Sequence, residues 1–309
     1  MDLEQVAAQL GGAAEPSRLR LLVALLAGET AVGDLVAVLE QSQPRVSRHL
    51  RLLAEAGLVE SFREGRSIFY RWTAEGLAAG VASPVAALAA GGDPIIAGDR
   101  VRQLRQAGQR ERAALRRVLR AGQRRGLAEA DLEKPLHDLL PPTPADVLVV
   151  GCGAGELLRS LLPRVRLAAG LEPSAPLREL ARARLHHAGL PHWTIREAPA
   201  GVSPFAAGSF DLVVLEAHAN AGLEDMAPGR AIGWLRPTGQ LVIHARILPT
   251  DGAMAARLAA ELAVAGFAIT RRHWLPGPSP DRALFVASRT MAGVDDDPTT
   301  RTLGWTETA

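Results

Sequence analysis

The chain has 309 residues, of which 48% are hydrophobic and 22% charged, and its formal net charge is +2. This length favours two domains, since one domain usually contains about 100 to 200 residues, and the composition excludes a wholly disordered chain. The single cysteine, Cys152, excludes an internal disulfide and a multi-thiolate zinc site, so we expect no metal. The first residues lack the basic start and apolar run of a signal peptide, and no long apolar stretch follows, so we expect a cytoplasmic protein without a membrane segment.

Changes in composition divide the chain into four parts. Residues 78–98 lose charge and gain glycine and proline, a proline cluster lies at 140–145, and the residues after 291 have no apolar pattern. These changes predict a compact amino-terminal domain, a helical connector, a domain of alternating strands and helices, and a flexible tail. Their predicted bounds are 1–77, 78–144, 145–290 and 291–309.

The amino-terminal domain has the pattern of a helix-turn-helix. An apolar-periodic helix around 32–39 is followed by a polar break at 40–42 and a second helix, in which Val46, Leu50 and Leu53 recur at i, i+4 and i+7. Ser42 is expected to cap this second helix and Pro44 suits its first turn. Its other side would present donors to base edges and phosphates. The predicted DNA-contacting residues of this segment are Ser42, Gln43, Arg45, Ser47, Arg48, His49 and Arg51.

A β-hairpin is predicted directly after this helix. Two alternating runs in LVESFREGRSIFYRW (58–72) meet at Gly65, as a hairpin bend requires. Arg63 and Arg66 at its tip are expected to contact phosphates or a minor groove, which would make the hairpin a wing. Three aromatic residues are expected to anchor the hairpin to the helices: Phe62, Phe69 and Tyr70. Taken alone, helix-turn-helix spacing also occurs in enzymes as ordinary packing.

The ordered combination of helix, turn, basic helix and wing resembles the ArsR/SmtB family of bacterial transcription regulators. The resemblance lies in EPSRLRLLVALLAGE (15–29), SQPRVSRHLRLLAEAGLV (42–59) and REGRSIFYR (63–71). It implies a homodimer that binds double-stranded operator DNA through the helix carrying residues 42–51. Metal-sensing members place two cysteines in an ELCVCDL-like segment, whereas this chain has ETAVGDL at 29–35, so a thiolate metal sensor there is excluded.

The connector carries most of the excess positive charge. Ten arginines lie between residues 99 and 125, against only Asp99 and Glu111. This segment can face a polyanion, but the charge run alone favours a solvated connecting helix. Four apolar positions fit a broken heptad, so helical pairing remains an alternative. These are Val101, Leu104, Leu115 and Val118.

The third part begins with an apolar strand that enters a glycine-rich turn. Gly151, Gly153 and Gly155 allow a sharp turn and the close approach of a ligand to backbone. A second strand, at 167–171, ends in Glu172, about 20 residues on, where a carboxylate can accept hydrogen bonds from both ribose hydroxyls. Helices and strands alternate from there to about residue 288, which predicts an α/β domain.

This order resembles that of class I S-adenosylmethionine-dependent methyltransferases, through VLVVGCGAG, GLEPS, SPFAAGSFDLVV and LRPTGQLVI. The resemblance implies a Rossmann-like sheet in the order 3-2-1-4-5-7-6 that binds S-adenosylmethionine or S-adenosylhomocysteine. The implied cofactor-binding residues are Gly151, Cys152, Gly153, Gly155, Glu172 and Asp211. Asp211 begins the fourth predicted strand, so it has either a structural role or a place on the adenine side. Val149 and Pro199 stand where the family usually has acidic cofactor contacts. The loss of one charge-assisted hydrogen bond lowers affinity by about one to two orders of magnitude.

Catalytic candidates follow the fourth predicted strand, where such folds hold substrates. They are Glu216, His218 and Asn220, and His218 is equally explained as a solvent-facing loop residue. The sequence therefore predicts a DNA-binding transcriptional regulator, a repressor, whose carboxy-terminal domain senses S-adenosylmethionine or S-adenosylhomocysteine. One alternative is an active methyltransferase on a small molecule with a fused winged-helix regulatory domain. Another is an interaction domain whose cofactor cleft stays empty.

Overall fold

The computed structural model describes residues 2–73, 76, 80–123, 136, 138–140, 145–197, 204–216, 228–246, 252–274 and 282–290. The predicted tail at 291–309 lies outside the described residues, as do His218, Asn220 and Pro199. No helix in these ranges is both long and apolar enough to cross a membrane.

The amino-terminal domain consists of short helices and a three-stranded antiparallel sheet in the order β1-β3-β2. Its elements are α1 (Leu3–Ala13), α2 (Pro16–Leu26), β1 (Thr30–Ala31), α3 (Val32–Leu39), α4 (Gln43–Glu55), β2 (Val59–Glu64), β3 (Ser67–Trp72) and α5 (Ala82–Ala90). Val46, Leu50 and Leu53 are fully buried, which confirms the predicted inner face of the second motif helix, α4. Pro44 lies in its first turn as predicted. The cap differs: Ser42 has the extended N-cap backbone, but its side chain makes no capping hydrogen bond within the described first turn.

One long helix of the connector contacts both domains. This helix, α6 (Pro94–Arg120), begins at Asp93, whose Oδ1 accepts hydrogen bonds from the amides of Ile95 and Ile96. Near its start Asp99 pairs with Arg20 of α2, at 2.7 Å. Near its end Ala114 and Val118 pack against the carboxy-terminal domain. The helix is therefore packed on two sides.

The positions of the broken heptad are divided between solvent and packing. Val101 and Leu104 are exposed, whereas Val118 is fully buried and Leu115 packs beside it against the carboxy-terminal domain. Several connector arginines form ion pairs, including Arg102 with Asp99 and Arg117 with Glu179.

The carboxy-terminal domain is a seven-stranded, mostly parallel sheet with helices on its faces. Its strands are β4 (Asp146–Val150), β5 (Leu167–Leu171), β6 (Trp193–Arg196), β7 (Phe210–Glu216), β8 (Leu235–Arg246), β9 (Phe267–Trp274) and β10 (Arg282–Arg289). Its helices are α7 (Glu156–Leu161), α8 (Ala175–His187), α9 (Pro228–Trp234) and α10 (Gly252–Val264).

The strand order β6-β5-β4-β7-β8-β10-β9 equals the predicted 3-2-1-4-5-7-6. Strand β10 runs antiparallel to both β8 and β9, while the strands from β6 to β8 are parallel. Both faces of the central strands are covered, so Val147, Leu148 and Val149 are all fully buried and the strand is an unbroken apolar run. The fold class, a winged helix-turn-helix domain followed by a Rossmann-like domain, is confirmed.

Candidate nucleic-acid surface and nucleoside pocket

The outer side of α4 carries most of the predicted DNA-contacting residues. Gln43, Arg45, Arg48 and Arg51 are exposed, Ser42 is exposed just before the helix, and Ser47 is half-buried. Arginines spaced by three residues lie on neighbouring turns of one helix side, so they present guanidinium groups to the same surface. This arrangement suits phosphates and the acceptor atoms of guanine in a major groove.

His49 lies between this outward side and α2. It is half-buried, and its Nδ1 is 3.6 Å from Glu15 Oε2 at the start of α2. Burial lowers the pKa of His49, and the neighbouring Glu15 opposes this shift. The ring also lines a surface pocket together with Arg45 and Arg48, so its role as a DNA contact stays a prediction.

The wing, residues 59–72, has two faces with different surroundings. Cross-strand partners share a face, so Arg63 lies with Ile68 on one face and Glu64 lies with Ser67 on the other. Arg63 is exposed at the tip, where its Nε donates to the carbonyl of Gly65, at 3.2 Å. Arg66 is exposed in the turn. Both predicted wing arginines are therefore open to solvent.

The aromatic residues of the other wing face contact the carboxy-terminal domain. Phe62 and Phe69 stack with ring centroids 5.3 Å apart. The guanidinium of Arg196 lies 3.1 Å from the centroid of Phe62, and that of Arg182 lies 4.4 Å from Phe69. The expectation that Phe62 and Phe69 anchor the hairpin to its own helices is wrong, because cations of the other domain cover them. Tyr70, by contrast, packs against the core of the amino-terminal domain as expected.

Glu29 is fully buried between the domains and is held by side chains of the carboxy-terminal domain. Its Oε1 accepts a hydrogen bond from Arg182 Nε at 2.7 Å. Its Oε2 accepts from the Thr194 hydroxyl at 2.5 Å and from Arg196 Nη1 at 2.7 Å. Burial alone would raise the pKa of Glu29, but the charges of Arg182 and Arg196 outweigh it and lower the pKa. The carboxylate is therefore charged, paired and dry.

Close backbone approach accompanies this buried pair. Gly28 has φ of +101°, and a Cβ there would lie 2.3 Å from the ring of Trp193. His186 stacks edge-on against Trp193, at 4.8 Å, and its Nε2 donates to the carbonyl of Glu29 at 2.8 Å. Burial lowers the pKa of His186 to about 4, so this interface histidine is neutral at physiological pH.

The glycine-rich turn after β4 is fixed onto the next strand. Gly151, Gly153 and Gly155 have φ of 80°, 53° and 83°, a left-handed region that favours glycine. The amides of Gly151 and Cys152 donate to the carbonyl of Leu171, at 2.8 and 3.1 Å, and the amide of Gly155 donates to the carbonyl of Cys152, at 2.9 Å. These amides are engaged within the protein, so the loop offers a close backbone surface more than a set of free donors.

Cys152 is an inert part of that loop. It is buried, and burial together with the charges of Glu172 and Glu216 raises the pKa of its thiol well above the usual value. A neutral thiol is a poor nucleophile. Gly170 makes room for it, since a Cβ on Gly170 would lie 2.7 Å from the sulfur.

Glu172 stands at the end of β5, beside the glycine-rich turn. Its side chain is held by two backbone amides: Oε2 accepts from Gly153 and Oε1 accepts from Ser174, both at 2.9 Å. The Ser174 hydroxyl in turn donates to Gln123 Oε1, at 2.6 Å. The segment that follows α6 therefore reaches the same pocket, a contact that the sequence did not predict.

A second carboxyl group, Glu216, ends the neighbouring strand β7 on the same edge of the sheet. Burial and the charge of Glu172 raise its pKa to about 7. A carboxyl group that titrates near neutral pH can take or give a proton in this pocket. Of the predicted catalytic candidates, it is the one within the described residues.

Two segments match known families. Residues 15–61 match the profile described as "Bacterial regulatory protein, arsR family", and residues 147–239 match the profile "Methyltransferase domain". The chain thus combines an arsR-family helix-turn-helix domain with a methyltransferase domain. Below, these are the arsR domain and the methyltransferase domain.

Curated relatives match the arsR domain. A "Biofilm growth-associated repressor" of Agrobacterium fabrum is 46% identical over 67 residues, which are 22% of this chain and 57% of the relative. The "Arsenical resistance operon repressor" of Escherichia coli is 44% identical over 59 residues, 19% of this chain and 50% of the relative. The chain spans about half the length of the curated relatives it matches.

Solved structures match between half and two thirds of the chain. One is a 1,6-didemethyltoxoflavin-N1-methyltransferase of Burkholderia thailandensis, solved with S-adenosylhomocysteine. It is 19% identical, with a TM-score of 0.46, covering 60% of this chain and 90% of that one. Another is a SAM-dependent methyltransferase from Aquifex aeolicus, at 17% identity and a TM-score of 0.43, covering 52% of this chain and 90% of that one.

The structure places Asp211 outside the pocket of the methyltransferase domain. This residue begins β7, whose other end carries Glu216, so it lies at the opposite edge of the sheet. Its Oδ2 accepts a hydrogen bond from the Asp146 amide at 2.8 Å and pairs with Arg236. These bonds give Asp211 a structural role at the amino end of the sheet, and we leave it out of the cofactor site.

Sequence reasoning missed the arginines that join the methyltransferase domain to the arsR domain. Arg178 and Arg182 lie four residues apart on α8, and both are buried. Arg182 stands between Ala181 and Ala183, which is a signal, because an arginine on the covered side of a helix requires an acidic partner. That signal points to a partner but does not identify one.

Proposed function

We propose that this chain is a DNA-binding transcriptional repressor whose methyltransferase domain senses S-adenosylmethionine or S-adenosylhomocysteine. The observation that carries the proposal is the divided wing: one face is held by the methyltransferase domain, while Arg63 and Arg66 at its tip stay exposed, as do the arginines of α4. A ligand of the methyltransferase domain therefore has a direct route to a DNA-contacting element. The repressor names of the arsR-domain relatives support the DNA-binding half.

We assign the ribose of an adenosyl ligand to Glu172, which is 3% exposed in the structure. The Glu172 side chain is fixed by two amides and lies beside a backbone turn that lacks side chains at three positions. Glu172 would hold the ribose hydroxyls and the turn at 151–155 would lie against the methionine part. Val149 is fully buried and apolar, so it supplies no carboxylate for the ammonium group. S-adenosylmethionine supplies, when bound, an electrophilic methyl group.

We further propose that the protein binds its operator as a homodimer, because one recognition helix reads one half-site and two half-sites need two copies. Light scattering of the full-length chain, alone and with a selected duplex, tests this. A one-to-one complex at saturation would contradict it.

The deciding experiment for the sensor role titrates operator-bound, full-length protein with each nucleoside separately. We expect one of the two nucleosides, at concentrations that saturate its site, to release the operator DNA or to tighten its binding. Fluorescence anisotropy of the labelled duplex measures this change. Calorimetry without DNA measures nucleoside binding independently. A pocket that gives no heat and no thermal shift at millimolar nucleoside would contradict the sensor.

One observation favours a second function, an active methyltransferase on a small molecule. Glu216 has a pKa of about 7 and stands at the strand end where a general base would act. Transfer of a labelled methyl group from S-adenosylmethionine to a panel of small nucleophiles tests it. Turnover that Glu216→Gln abolishes, with nucleoside affinity retained, would support this function.

A further inference from the structure

Arg178 lies between the wing and the strand end that carries Glu172. Its Nε donates to Glu64 Oε1 of the wing at 2.9 Å. Its Nη1 donates to two main-chain carbonyls, that of Glu172 at 2.7 Å and that of Pro173 at 2.8 Å. The residue is only 3% exposed. One buried guanidinium therefore joins the nucleoside pocket to the wing.

Glu64 is held on this site by a second arginine. Arg182 donates from Nη1 to Glu64 Oε1 at 2.9 Å and from Nη2 to Oε2 at 2.7 Å. Its Nη2 also donates to the carbonyl of Ile195, at 2.6 Å. Burial would raise the pKa of Glu64, but Arg182 and Arg178 outweigh it and lower the pKa. The wing carboxylate is thus charged and fixed from two sides, a geometry stronger than a single ion pair.

The position of Glu64 determines the position of the wing tip. Glu64 is the last residue of β2, and Arg63 and Gly65 are its direct chain neighbours. Because successive side chains of a strand point to opposite faces, a shift of Glu64 toward or away from α8 must carry Arg63 with it. The exposed arginines of the tip therefore move with the docked face.

A ribose at Glu172 must disturb the segment that Arg178 contacts. The Glu172 carboxylate already accepts hydrogen bonds from the amides of Gly153 and Ser174. The ribose hydroxyls have to add to these hydrogen bonds or replace them. The carbonyls of Glu172 and Pro173, which Arg178 holds, belong to the same three-residue turn. Nucleoside binding at Glu172 and the hydrogen bonds of Arg178 therefore depend on the same short stretch of backbone.

Resting on the proposed function, we propose that Arg178 is a positioning residue that couples nucleoside binding at Glu172 to the wing through Glu64. A ligand changes DNA affinity only when it binds the docked and released arrangements of the wing with different affinities. The Arg178 bonds to both sites provide that difference. The ion pair itself is the coupling element, distinct from the recognition helix.

The test measures operator affinity of the full-length chain with and without saturating S-adenosylhomocysteine. The duplex is one selected from a random pool by the wild-type protein. For wild type we expect the two dissociation constants to differ by a factor of about 5 to 150, the usual range of coupling between two sites. For Glu64→Gln we expect that ratio to fall to within about twofold of one, since the charge that Arg178 and Arg182 grip is gone.

A matched control exists on the same wing face. Glu60 also carries a carboxylate there, but it pairs with Arg71 of the same hairpin, at 2.5 Å. We expect Glu60→Gln to keep the wild-type ratio. Calorimetry with S-adenosylhomocysteine and a thermal melt establish that each variant is folded and binds the nucleoside. Hydrogen exchange of residues 59–72 should respond to S-adenosylhomocysteine in wild type and not in Glu64→Gln.

The outcomes separate this inference from the proposed function. A Glu64→Gln protein that retains the full ratio overturns the inference and leaves the sensor intact. A wild-type protein that binds both the duplex and S-adenosylhomocysteine, with a ratio of one, overturns the coupling and the sensor role together, yet keeps both binding activities. A wild-type protein that binds no duplex removes the proposed function itself.

Discussion

The protein has two sets of arginines that differ in burial and in hydrogen-bond partners. The interdomain set is buried or half-buried, and its guanidiniums are hydrogen-bonded to carboxylates or carbonyls of both domains; it comprises Arg178, Arg182 and Arg196. The second set is exposed on α4 and the wing tip, and we call it the DNA-facing set after its proposed role; it comprises Arg45, Arg48, Arg51, Arg63 and Arg66. The residue type is the same, so burial and nearby acceptors decide whether a guanidinium holds the protein together or stays available for phosphates.

The strongest test of the interdomain set removes the charge of its central partner. Glu29→Gln leaves the half-buried Arg196 without a carboxylate, and breaking one side of a buried ion pair costs about 3 to 5 kcal/mol. Urea unfolding, followed with one probe in each domain, measures the loss. Glu60→Gln removes one side of an exposed pair and should cost at most about 1 kcal/mol. Equal effects of the two variants would contradict the distinction.

The Glu216 carboxyl group, in contrast to that of Glu29, has no arginine among the causes of its pKa shift. Burial and the charge of Glu172 raise the pKa of Glu216 to about 7. The protonated form is favoured in the folded protein, so its stabilising effect is complete below about pH 4.5 and is lost as the pH rises through 7. We expect Glu216→Gln to become progressively more stable than wild type between pH 5 and 8, by up to about 3 kcal/mol. Parallel stability profiles of the two proteins would contradict this.

Gly28 tests how closely the two domains approach. Gly28→Ala places a Cβ 2.3 Å from the Trp193 ring at a left-handed backbone position, so we expect a loss of about 1 to 3 kcal/mol in unfolding free energy. Gly33→Ala is the matched control, since Gly33 lies in α3 with open space around it. That change should stabilise the protein by about 0.5 to 1 kcal/mol. A neutral Gly28→Ala would mean that the interface opens readily.

Arg48 tests the DNA-facing set on the recognition helix. Arg48→Ala should weaken binding to the selected duplex by about 10- to 100-fold, because a bidentate base contact is worth about 1 to 3 kcal/mol of discrimination. Binding to random DNA should fall much less, which competition anisotropy measures. Arg159→Ala, an exposed arginine of the methyltransferase domain, serves as the control. Equal losses on both duplexes would make Arg48 a phosphate contact.

The smallest effect is expected at the wing tip. Changing both Arg63 and Arg66 to Gln should reduce the slope of log affinity against log salt by about 2, since each phosphate contact contributes about 0.9. At moderate salt this amounts to a few-fold weaker binding. An unchanged slope would show that the tip stays off the DNA while α4 is bound.

The sequence predicted what local patterns encode. Helical spacing identified the buried face of α4 through Val46, Leu50 and Leu53, and the alternation of strands and helices predicted an α/β domain. These features depend on residues close together in the chain, so periodicity and turn chemistry are sufficient. Glu172 was placed beside the glycine-rich turn for the same reason. The strand order depends on distant pairing, and its prediction came from the resemblance to class I methyltransferases.

Contacts between distant segments escaped prediction. Alternation placed Phe62 and Phe69 in a hairpin, but it cannot show that Arg196 and Arg182, more than a hundred residues away, cover their rings. For Asp211 the sequence left a structural and an adenine-side role open, and only its bonds to the Asp146 amide and Arg236 favour the structural one. The cap expected at Ser42 depended on a rotamer, which sequence does not specify.

The burial of Glu29 has a consequence for anyone who wishes to use the arsR domain as a transplantable cassette. A fragment that ends after the wing would expose Glu29, Glu64 and the stacked rings of Phe62 and Phe69, because the arginines that contact them belong to the methyltransferase domain. We expect such a fragment to aggregate and to bind DNA with an affinity that differs from that of the full-length chain. The helix-turn-helix of this protein is therefore best handled, stored and engineered in one piece with the domain behind it.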